Sequence, residues 1–390
     1  MTPSTRAAGA AAADRLLEPW FTCLRERLPG LRVFDSHTHL GSDPDGSSQT
    51  ARELLDALDV IDGRAVAFSF SEPDGYAAAN DRVLESAAAS DGRIIAYCRV
   101  DPNAGGLAEA ERCLDAGAGG IKLHPRAERF ALGDAAVDRI VALAARRRVP
   151  VVFHAGRGIP SLGRNALELA ARHPEAPIIL AHAAISDLAW IWREAPARPN
   201  LFFDTAWWNT ADQLALLSLV PPGQILFASD IPYGRTVAAA CVVLRAALAV
   251  GLGPEQIAAI AGGQIQRLLA GEEALDLGPA TNATPPAPGA LLERIHTLLV
   301  AAISRMSTGQ PGDEYLELAR LACRLPPGHR EAPVADSVLA LLERYDAYRA
   351  AKPRQRGPRP PGIHLIFVAA AIARLPGLPL PDGETARGAP

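Results

Sequence analysis

The chain has 390 residues, 49% of them hydrophobic and 21% charged, which is enough for one large barrel with an appendage or for two or three domains. Its formal net charge of −4 argues against a nucleic-acid-binding protein, because such proteins usually carry an excess of basic residues. The five cysteines are scattered without a Cys-x-x-Cys pair, which excludes a disulfide scaffold and a cysteine zinc site and favours a reducing compartment.

The N-terminal part, residues 1–30, is predicted to form one helix and a loop that packs through Trp20 and Phe21. No apolar segment follows the first residues in the way a signal peptide requires. The apolar run at 363–373 is shorter than the ~20 residues of a membrane span. We therefore expect a cytoplasmic protein.

Between residues 31 and 272, short β-branched or aromatic runs alternate with Ala/Leu-rich segments of helical spacing. The eight predicted strands are 31–35, 65–70, 94–100, 120–123, 149–153, 177–181, 200–204 and 224–228. The main predicted helices are 51–60, 76–90, 107–116, 135–147, 162–172 and 236–249. This alternation predicts an α/β fold, a parallel (β/α)8 TIM barrel. A doubly wound sheet is the alternative, because a single sequence does not reveal strand order.

The composition changes after the barrel. Residues 273–289 are rich in proline and predict a linker, and 290–390 predict a helical C-terminal appendage. Its predicted helices are 290–306, 313–324, 334–350 and a buried one at 363–375, with a Pro- and Arg-rich loop at 352–362. We expect no catalytic cluster there, and we expect His296, His329 and His364 to be surface or capping residues. The appendage caps the barrel, mediates a homodimer or does neither.

The residues with catalytic potential cluster where predicted strands end, which is where parallel barrels place their active sites. The first strand leads into His37 and His39, and the eighth leads into Asp230. The fourth, fifth and sixth strands contribute, in this order, Lys122 with His124, then His154, then His182.

The spacing of His37 and His39 places both side chains on one face of a strand, because alternate residues point the same way. Two imidazoles from one strand, one from another strand and a carboxylate suit a divalent transition metal with an open position for water. A single histidine pair of this kind is usually structural. Several such residues at strand ends together favour a metal site.

This order of residues resembles the amidohydrolase superfamily, in particular the amidohydrolase-related (amidohydrolase 2-type) metal-dependent TIM-barrel hydrolases, a group that also includes decarboxylases. The resemblance covers about 31–271 and rests on the strings FDSHTH, GGIKLHP, VVFHAG, IILAHA and ILFASDIPYG. It implies that the metal is surrounded by His37, His39, His154 and Asp230. It further implies that His182 binds a second metal or holds the substrate or the attacking water, and that Asp230 is the general base. The implied cofactor is one or two Zn²⁺ ions, with Mn²⁺ as the alternative.

Lys122 decides between two branches of that superfamily. In the dihydroorotase-like branch a lysine at this position is carboxylated and bridges two metals; otherwise Lys122 pairs with an acid or with a substrate carboxylate. His124 lies on the same face and either crowds such a bridge or lines the substrate pocket. Asp35 is expected to orient His37 or His39 from behind the metal.

Five further residues are candidates for substrate binding. Arg126 and Arg157 follow the fourth and fifth strands and can hold a substrate carboxylate, unless they are simply solvated. Trp207 and Trp208 follow the seventh strand and form either an aromatic wall or a packing surface for the appendage. Tyr233 is a candidate pocket hydroxyl.

The sequence thus predicts a metal-dependent hydrolase of an amide, a lactone or another cyclic carbonyl compound, in which Asp230 activates water. A non-oxidative metal-dependent decarboxylase on the same site is the alternative. A catalytically idle barrel that acts as a binding module is the third hypothesis. The expected partner is a small-molecule substrate, with neither nucleic acid nor membrane involved.

Overall fold

The structure is a computed structural model that describes residues 12–326, 328–351, 360–382 and 385–386. Most of the predicted loop at 352–362 and the first 11 residues of the N-terminal segment lie outside the described residues. Within the described part of the chain, no helix combines the length and the apolar character that crossing a membrane requires.

Eight parallel strands form the barrel, and a ninth short strand pairs antiparallel with the end of the first. In chain order the strands are β1 (Phe34–Ser42), β2 (Ser48–Gln49), β3 (Arg64–Ser69), β4 (Ile94–Arg99), β5 (Gly120–Leu123), β6 (Val151–Phe153), β7 (Ile178–Leu180), β8 (Leu201–Asp204) and β9 (Ile225–Leu226). The spatial order is β2-β1-β3-β4-β5-β6-β7-β8-β9. The predicted barrel is confirmed, and the doubly wound alternative is excluded because the sheet curls until its ends meet.

Backbone hydrogen bonds between β1 and the segment after β9 close the barrel. The Ser36 N–H donates to the Phe227 carbonyl, the Asp230 N–H to the His37 carbonyl and the His39 N–H to the Ile231 carbonyl, each at 2.9 Å. This pairing extends β1 well beyond residue 35, so the predicted end of the first strand is wrong. His37 and His39 lie inside β1, as the prediction that both share one face of a strand requires.

Helices surround the strands on the outside. They are α1 (Glu18–Arg25), α2 (Ala51–Asp59), α3 (Ala77–Ala88), α4 (Gly106–Asp115), α5 (Ala135–Arg147), α6 (Leu162–Arg172), α7 (Leu188–Ile191), α8 (Thr210–Leu219), α9 (Thr236–Ala249), α10 (Pro254–Ala258) and α11 (Gln264–Leu269). The segment 259–263 joins α10 to α11 as a π-helical turn. Thr50 begins α2 with a capping box that includes Glu53, which satisfies donors at the helix start.

The alternation of side chains along each strand separates two hydrophobic layers. The outer layer lies between strands and helices, and the inner layer fills the barrel with residues such as Val66, Phe68, Val152 and Phe202. Side chains two residues apart on a strand share a face. Because Ile121 and Leu123 belong to the outer layer, Lys122 between them points into the barrel. By the same rule Asp204 shares the inner face with Phe202.

The C-terminal region consists of α12 (Ala290–Ser307), α13 (Asp313–Ala322), α14 (Ala332–Ala351) and α15 (Ile363–Arg374). Every residue from 363 to 373 is buried, as expected for a helix that is apolar on all sides and surrounded by others. α15 packs against α12, α14 and the barrel helix α9. His296 and His364 are buried in these helices, so their prediction as surface residues is wrong. His329 accepts the backbone N–H of Glu331 ahead of α14.

Two buried polar contacts connect this region to the rest of the molecule. Arg245 of α9 donates to the carbonyls of Leu375 and Pro379 at 3.1 and 2.8 Å, just beyond the end of α15. A cation at this end of a helix complements the partial negative charge of the last carbonyls. The Trp20 indole of α1 donates to the Ser337 hydroxyl of α14 at 2.8 Å. The C-terminal helices are therefore part of the same hydrophobic core as the outside of the barrel.

Candidate metal centre and active-site cavity

Three side chains converge at the centre of the barrel mouth. His37 Nε2 and His39 Nε2 lie 3.3 and 3.1 Å from the same Oδ1 atom of Asp230. One ligand-type atom from each of the three lies within 4.8 Å of the others, and both histidines are buried. Two residues of one strand meet the carboxylate because the residues that follow β9 pair with β1.

Asp204, at the end of β8, fixes the orientation of His37. Its Oδ2 accepts the His37 Nδ1–H at 2.7 Å, while its Oδ1 accepts the backbone N–H groups of His182 and Ala206 at 2.8 and 3.0 Å. The hydrogen of a neutral His37 ring is therefore on Nδ1, and the lone pair of Nε2 faces Asp230. Asp204 is not among the residues predicted from the sequence, although it ends a predicted strand just as the other site residues do.

A second row of imidazoles lies beside this group. His182 Nδ1 bonds to the Ala206 carbonyl at 2.9 Å, so Nδ1 carries a hydrogen, and His182 Nε2 faces His154 Nδ1 at 3.0 Å. His154 in turn stacks on His124, with ring centroids 3.8 Å apart and planes within 9°. The His37 and His182 ring centroids are 5.2 Å apart. The structure thus places His154 against His182 and His124, outside the group formed by His37, His39 and Asp230.

One nitrogen of His154 is left open. Its Nε2 is buried and has no hydrogen-bond partner within the described ranges. A Cβ atom at Gly156 would lie 2.6 Å from this nitrogen. Glycine at this position therefore keeps the lone pair of His154 accessible.

The backbone that carries two of these residues is strained. His182, Ala183 and Ala184 have φ angles of +58°, +57° and +49°, and Asp230 has φ +60°. Non-glycine residues rarely adopt this left-handed region, and such strain persists where the surroundings determine the conformation. Here Asp204 holds the His182 backbone, and the His37 carbonyl accepts the Asp230 N–H.

Asp35 acts on the backbone and not on an imidazole. Its carboxylate accepts the N–H and the hydroxyl of Ser229 at 2.9 and 2.5 Å, the Thr236 hydroxyl at 3.1 Å and the His37 N–H at 3.2 Å. Asp35 thus holds His37 through its backbone N–H, whereas Asp204 orients the imidazole ring. Asp35 also connects β1 to the segment that carries Asp230. Burial raises the pKa of Asp35 to about 7.

Burial sets the protonation of the cluster. It lowers the pKa of His37 well below the ordinary value, with further lowering by Lys122, and it also lowers the pKa of His39. For Asp230, burial by itself raises the pKa, but the neighbouring His37 and His39 outweigh it, so the pKa lies below the ordinary value. The site thus presents neutral imidazoles and an ionised carboxylate, which is the form in which these groups bind metals.

Lys122 lies next to this cluster at the end of β5. Its Nζ is 3.4 Å from His37 Nε2 and 4.5 Å from the centre of the Phe68 ring. Burial lowers the pKa of Lys122 to about 7, so a substantial fraction of the amine is uncharged near neutral pH.

The cluster opens into a cavity of about 600 Å³ whose rim contains the remaining predicted residues. Arg126 and Arg157 are exposed on it, and Arg157 lies over the Trp207 ring at 5.3 Å. Trp208 also lines the cavity and stacks on Phe367 of α15 at 5.7 Å, so it serves both as wall and as a contact for the C-terminal helices. Tyr233 packs edge-on against His39 at 5.5 Å.

Residues 25–270 match the model of the amidohydrolase family Amidohydro_2. This match covers more than half of the chain. The chain belongs to the amidohydrolase family. The family predicted from the motifs is confirmed, and at the level of the superfamily the protein is a hydrolase-type enzyme.

Solved structures resemble this amidohydrolase in fold. A proposed amidohydrolase from Staphylococcus aureus is 17% identical with a TM-score of 0.51, and the alignment covers 62% of this chain and 100% of that one. An uncharacterised TIM-barrel protein from Bordetella bronchiseptica is 15% identical with a TM-score of 0.50 over 62% of this chain and 99% of that one. The 5-carboxyvanillate decarboxylase of Sphingomonas paucimobilis is 16% identical with a TM-score of 0.49 over the same shares. No curated protein matches the sequence.

Members of the amidohydrolase family use divalent metal ions, and the residues at the barrel mouth fit one. Two ligands of a tetrahedral ion lie roughly 3.3 Å apart; the two His–Asp230 separations are 3.3 and 3.1 Å. The lone pair of His37 Nε2 points at a carboxylate oxygen, an arrangement of two electron-rich atoms that a cation between them stabilises. The buried His154 Nε2, which has no partner in the described part of the chain, is a further open nitrogen atom in the cavity lining.

A buried ion pair at the cavity of this amidohydrolase was also missed by sequence reasoning. Arg99 of β4 pairs with Glu128 at 2.8 Å, and both side chains are about as buried as the core. Glu128 also accepts the Tyr76 hydroxyl and the His124 backbone N–H, the latter at 3.1 Å. The pair fixes the turn after β5 that carries His124 and Arg126. No local motif identifies it, because its members are distant in the sequence.

Proposed function

We propose that this amidohydrolase is a metal-dependent hydrolase that cleaves an amide, a lactone or another cyclic carbonyl compound. The observation that supports it best is the His37 Nε2 lone pair facing the Asp230 carboxylate at 3.3 Å, within a cavity large enough for a small-molecule substrate. A divalent ion held by His37, His39 and Asp230 would polarise the carbonyl group and lower the pKa of water. Zn²⁺ suits this donor set, and Mn²⁺ is the second candidate.

Asp230 is the proposed general base. Its ionised carboxylate is at the centre of the cluster, where it accepts the proton of the water that attacks the carbonyl carbon and returns it to the leaving group. The left-handed backbone at Asp230 and its N–H bond to the His37 carbonyl hold the carboxylate in a fixed position. Such positioning lowers the cost of organising the site for each turnover.

The neighbouring groups are proposed to bind the substrate and the developing charge. The His182 ring is fixed by the Ala206 carbonyl, and Lys122 approaches the same space from β5. His124, Arg126, Arg157, Trp207 and Tyr233 complete the proposed binding surface. If two ions bind, His154 and His182 are the proposed additional ligands and carboxylated Lys122 the bridge.

A non-oxidative decarboxylase is the second candidate function, and the cationic lining of the cavity favours it. Arg126 and Arg157 line the cavity, and guanidinium groups bind a substrate carboxylate well. Decarboxylation requires no attacking water. Loss of Asp230 as a base would therefore change the rates of hydrolysis and of decarboxylation to different extents.

Metal content measured by plasma mass spectrometry, on protein purified without chelator, is the first test. We expect at least one equivalent per chain in the wild type, a large loss in His39→Ala, and no loss in His173→Ala. His173 is the matched control because it bonds to Asp138 at the end of α6, outside the cavity. Absence of metal from all three proteins, even after Zn²⁺ or Mn²⁺ is supplied, would contradict the proposal.

The metal count then directs the substrate screen. About two equivalents favour carboxylated Lys122, and lactones and cyclic amides are tested first. One equivalent leaves Lys122 as a substrate contact, and carboxylic acids are added with release of CO₂ as the readout. Turnover of acids alone would replace the hydrolase proposal with the decarboxylase.

A further inference from the structure

We propose that the C-terminal helices complete an apolar subsite of the catalytic cavity, and that the substrate carries an apolar group, an alkyl chain or an aryl ring, beside its reactive carbonyl. The inference rests on the proposed function, because the carbonyl end of the substrate is assigned to the His–Asp cluster. It extends that function from a reaction class to the shape and polarity of the substrate.

One wall of the cavity is a row of aromatic rings that ends on the C-terminal region. Trp207 and Trp208 have ring centroids 6.3 Å apart, and Trp208 stacks on Phe367 at 5.7 Å with planes 25° apart. Phe367 belongs to α15 and lines the same cavity as His37 and Asp230. Because the family match ends at residue 270, this part of the cavity wall comes from a segment outside the matched region.

The aromatic wall is held in place before any substrate binds. The Trp207 indole donates to Asp212 at 2.6 Å. The buried Gln213 amide donates to the carbonyls of Thr205 and Trp207 at 2.7 and 2.8 Å, which fixes the loop between β8 and α8. A wall fixed in this way binds a ligand without the cost of ordering the loop.

The small apolar residues Ala238, Ala239 and Val242 of α9 line the cavity together with Phe367. α9 and α15 are packed against each other, so these side chains and Phe367 come from neighbouring helices. Ala239 is half-buried, whereas Ala238 and Val242 are fully buried. Alanine at position 239 leaves space that a larger side chain would fill.

The cavity lining therefore combines a polar part and an apolar part. Histidines, Lys122 and Asp230 form the first, and the rings of Trp208 and Phe367 with the alanines of α9 form the second. Burial of an apolar group against such a surface strengthens binding by roughly 0.8 kcal/mol per methylene, about fourfold in affinity. A substrate that is polar throughout would gain no binding energy from this apolar part of the cavity lining.

Two hydroxamates that differ only in their tails test the proposal. Acetohydroxamic acid and octanohydroxamic acid share a metal-binding head group, and their affinity for the Zn²⁺-loaded enzyme is measured by isothermal titration calorimetry. We expect octanohydroxamate to bind at least about tenfold more tightly to the wild type. In Ala239→Phe this ratio should fall to roughly threefold or less, with acetohydroxamate affinity unchanged.

Ala249→Phe is the matched control. Ala249 is the last residue of the same helix and is also half-buried, but it does not line the cavity. The Ala249→Phe variant should keep the wild-type ratio of the two hydroxamate affinities. Equal affinity of both hydroxamates for the wild type, or the same loss of ratio in both variants, would overturn the subsite while leaving the proposed function intact. Failure of even acetohydroxamate to bind would overturn the metal-dependent function and the subsite with it.

Discussion

The barrel mouth and the C-terminal helices both bury histidines, but the groups that contact these histidines differ between the two regions. At the barrel mouth, His37 contacts Asp204 and Asp230, and His182 contacts His154. In the C-terminal region, His296 bonds to a backbone carbonyl of α15 at 2.9 Å, and His364 Nε2 has no hydrogen-bond partner among the residues the structure describes.

The difference indicates what each region contributes. Burying ionisable groups against one another costs desolvation energy, so a cluster of them facing a cavity is better explained by chemistry than by stability. The C-terminal histidines belong to an apolar core that forms a wall of the cavity. The protein thus separates its reactive groups, which are in the barrel, from packing groups, which are in the appendage.

Asp230→Asn should have the largest effect, which is on catalytic activity. The variant tests the role assigned to the barrel mouth. Loss of the general base should lower hydrolytic kcat by about 10³-fold or more. The fold should persist because asparagine tolerates the left-handed backbone found at this position. Steady-state kinetics and thermal unfolding measure the two effects. Asp45→Asn is the control, since Asp45 lies in the exposed loop between β1 and β2; unchanged turnover in Asp230→Asn would contradict the role of Asp230 as base.

Asp204→Asn should have the next largest effect, because the His37 Nδ1–H then loses its carboxylate partner. Partners of metal-binding histidines typically account for about 10- to 100-fold in metal affinity. Competition with a fluorescent chelator measures this without reference to activity. Asp187→Asn is the control: Asp187 accepts the Gly163 N–H and the Trp190 indole N–H outside the cavity. Equal metal affinity in wild type and Asp204→Asn would exclude the proposed positioning.

Ser337→Ala tests whether the appendage is joined to the N-terminal helix by a specific polar contact. The variant leaves the buried Trp20 indole N–H without its acceptor, which should lower the free energy of unfolding by about 1–3 kcal/mol. Ser307→Ala on α12 is the matched control, because the buried Ser307 hydroxyl has no partner within the described segments. Urea unfolding compares them, and equal destabilisation in both variants would count against the contact.

His364 should give the smallest effect, a dependence of stability on pH. Burial, together with the charge of Arg235, lowers its pKa to about 3, against an ordinary value of 6.5. The unfolded chain therefore binds the proton first, so the stability from this residue is complete above pH 6.5 and is lost as the pH falls towards 3. Between pH 7.5 and 5.5 the wild type should lose about 1 kcal/mol more than His364→Leu. A loss of the same size in both proteins, measured by urea unfolding, would assign the dependence to other groups.

Much of the barrel could be predicted because its pattern is local. The helices at 135–147, 162–172 and 236–249 have the bounds that the apolar spacing predicts. The strand β5 also matches its prediction. β1 does not match, because the part beyond residue 35 is formed by pairing with β2, β3 and residues near 230, and pairing between segments is not visible in the local pattern.

The sequence by itself determined the family, the eight-fold alternation of strands and helices, and many of the polar residues that reach the barrel mouth. These follow from periodicity and from the rule that the carboxyl ends of parallel strands meet at one edge. Only the tertiary structure decided that Asp204 bonds to His37, that His154 faces His182 and that Phe367 reaches the cavity. Each of these contacts joins residues from different elements. The first two pairs are 167 and 28 positions apart in the sequence. Their packing is fixed only when the barrel closes and α15 packs against α9.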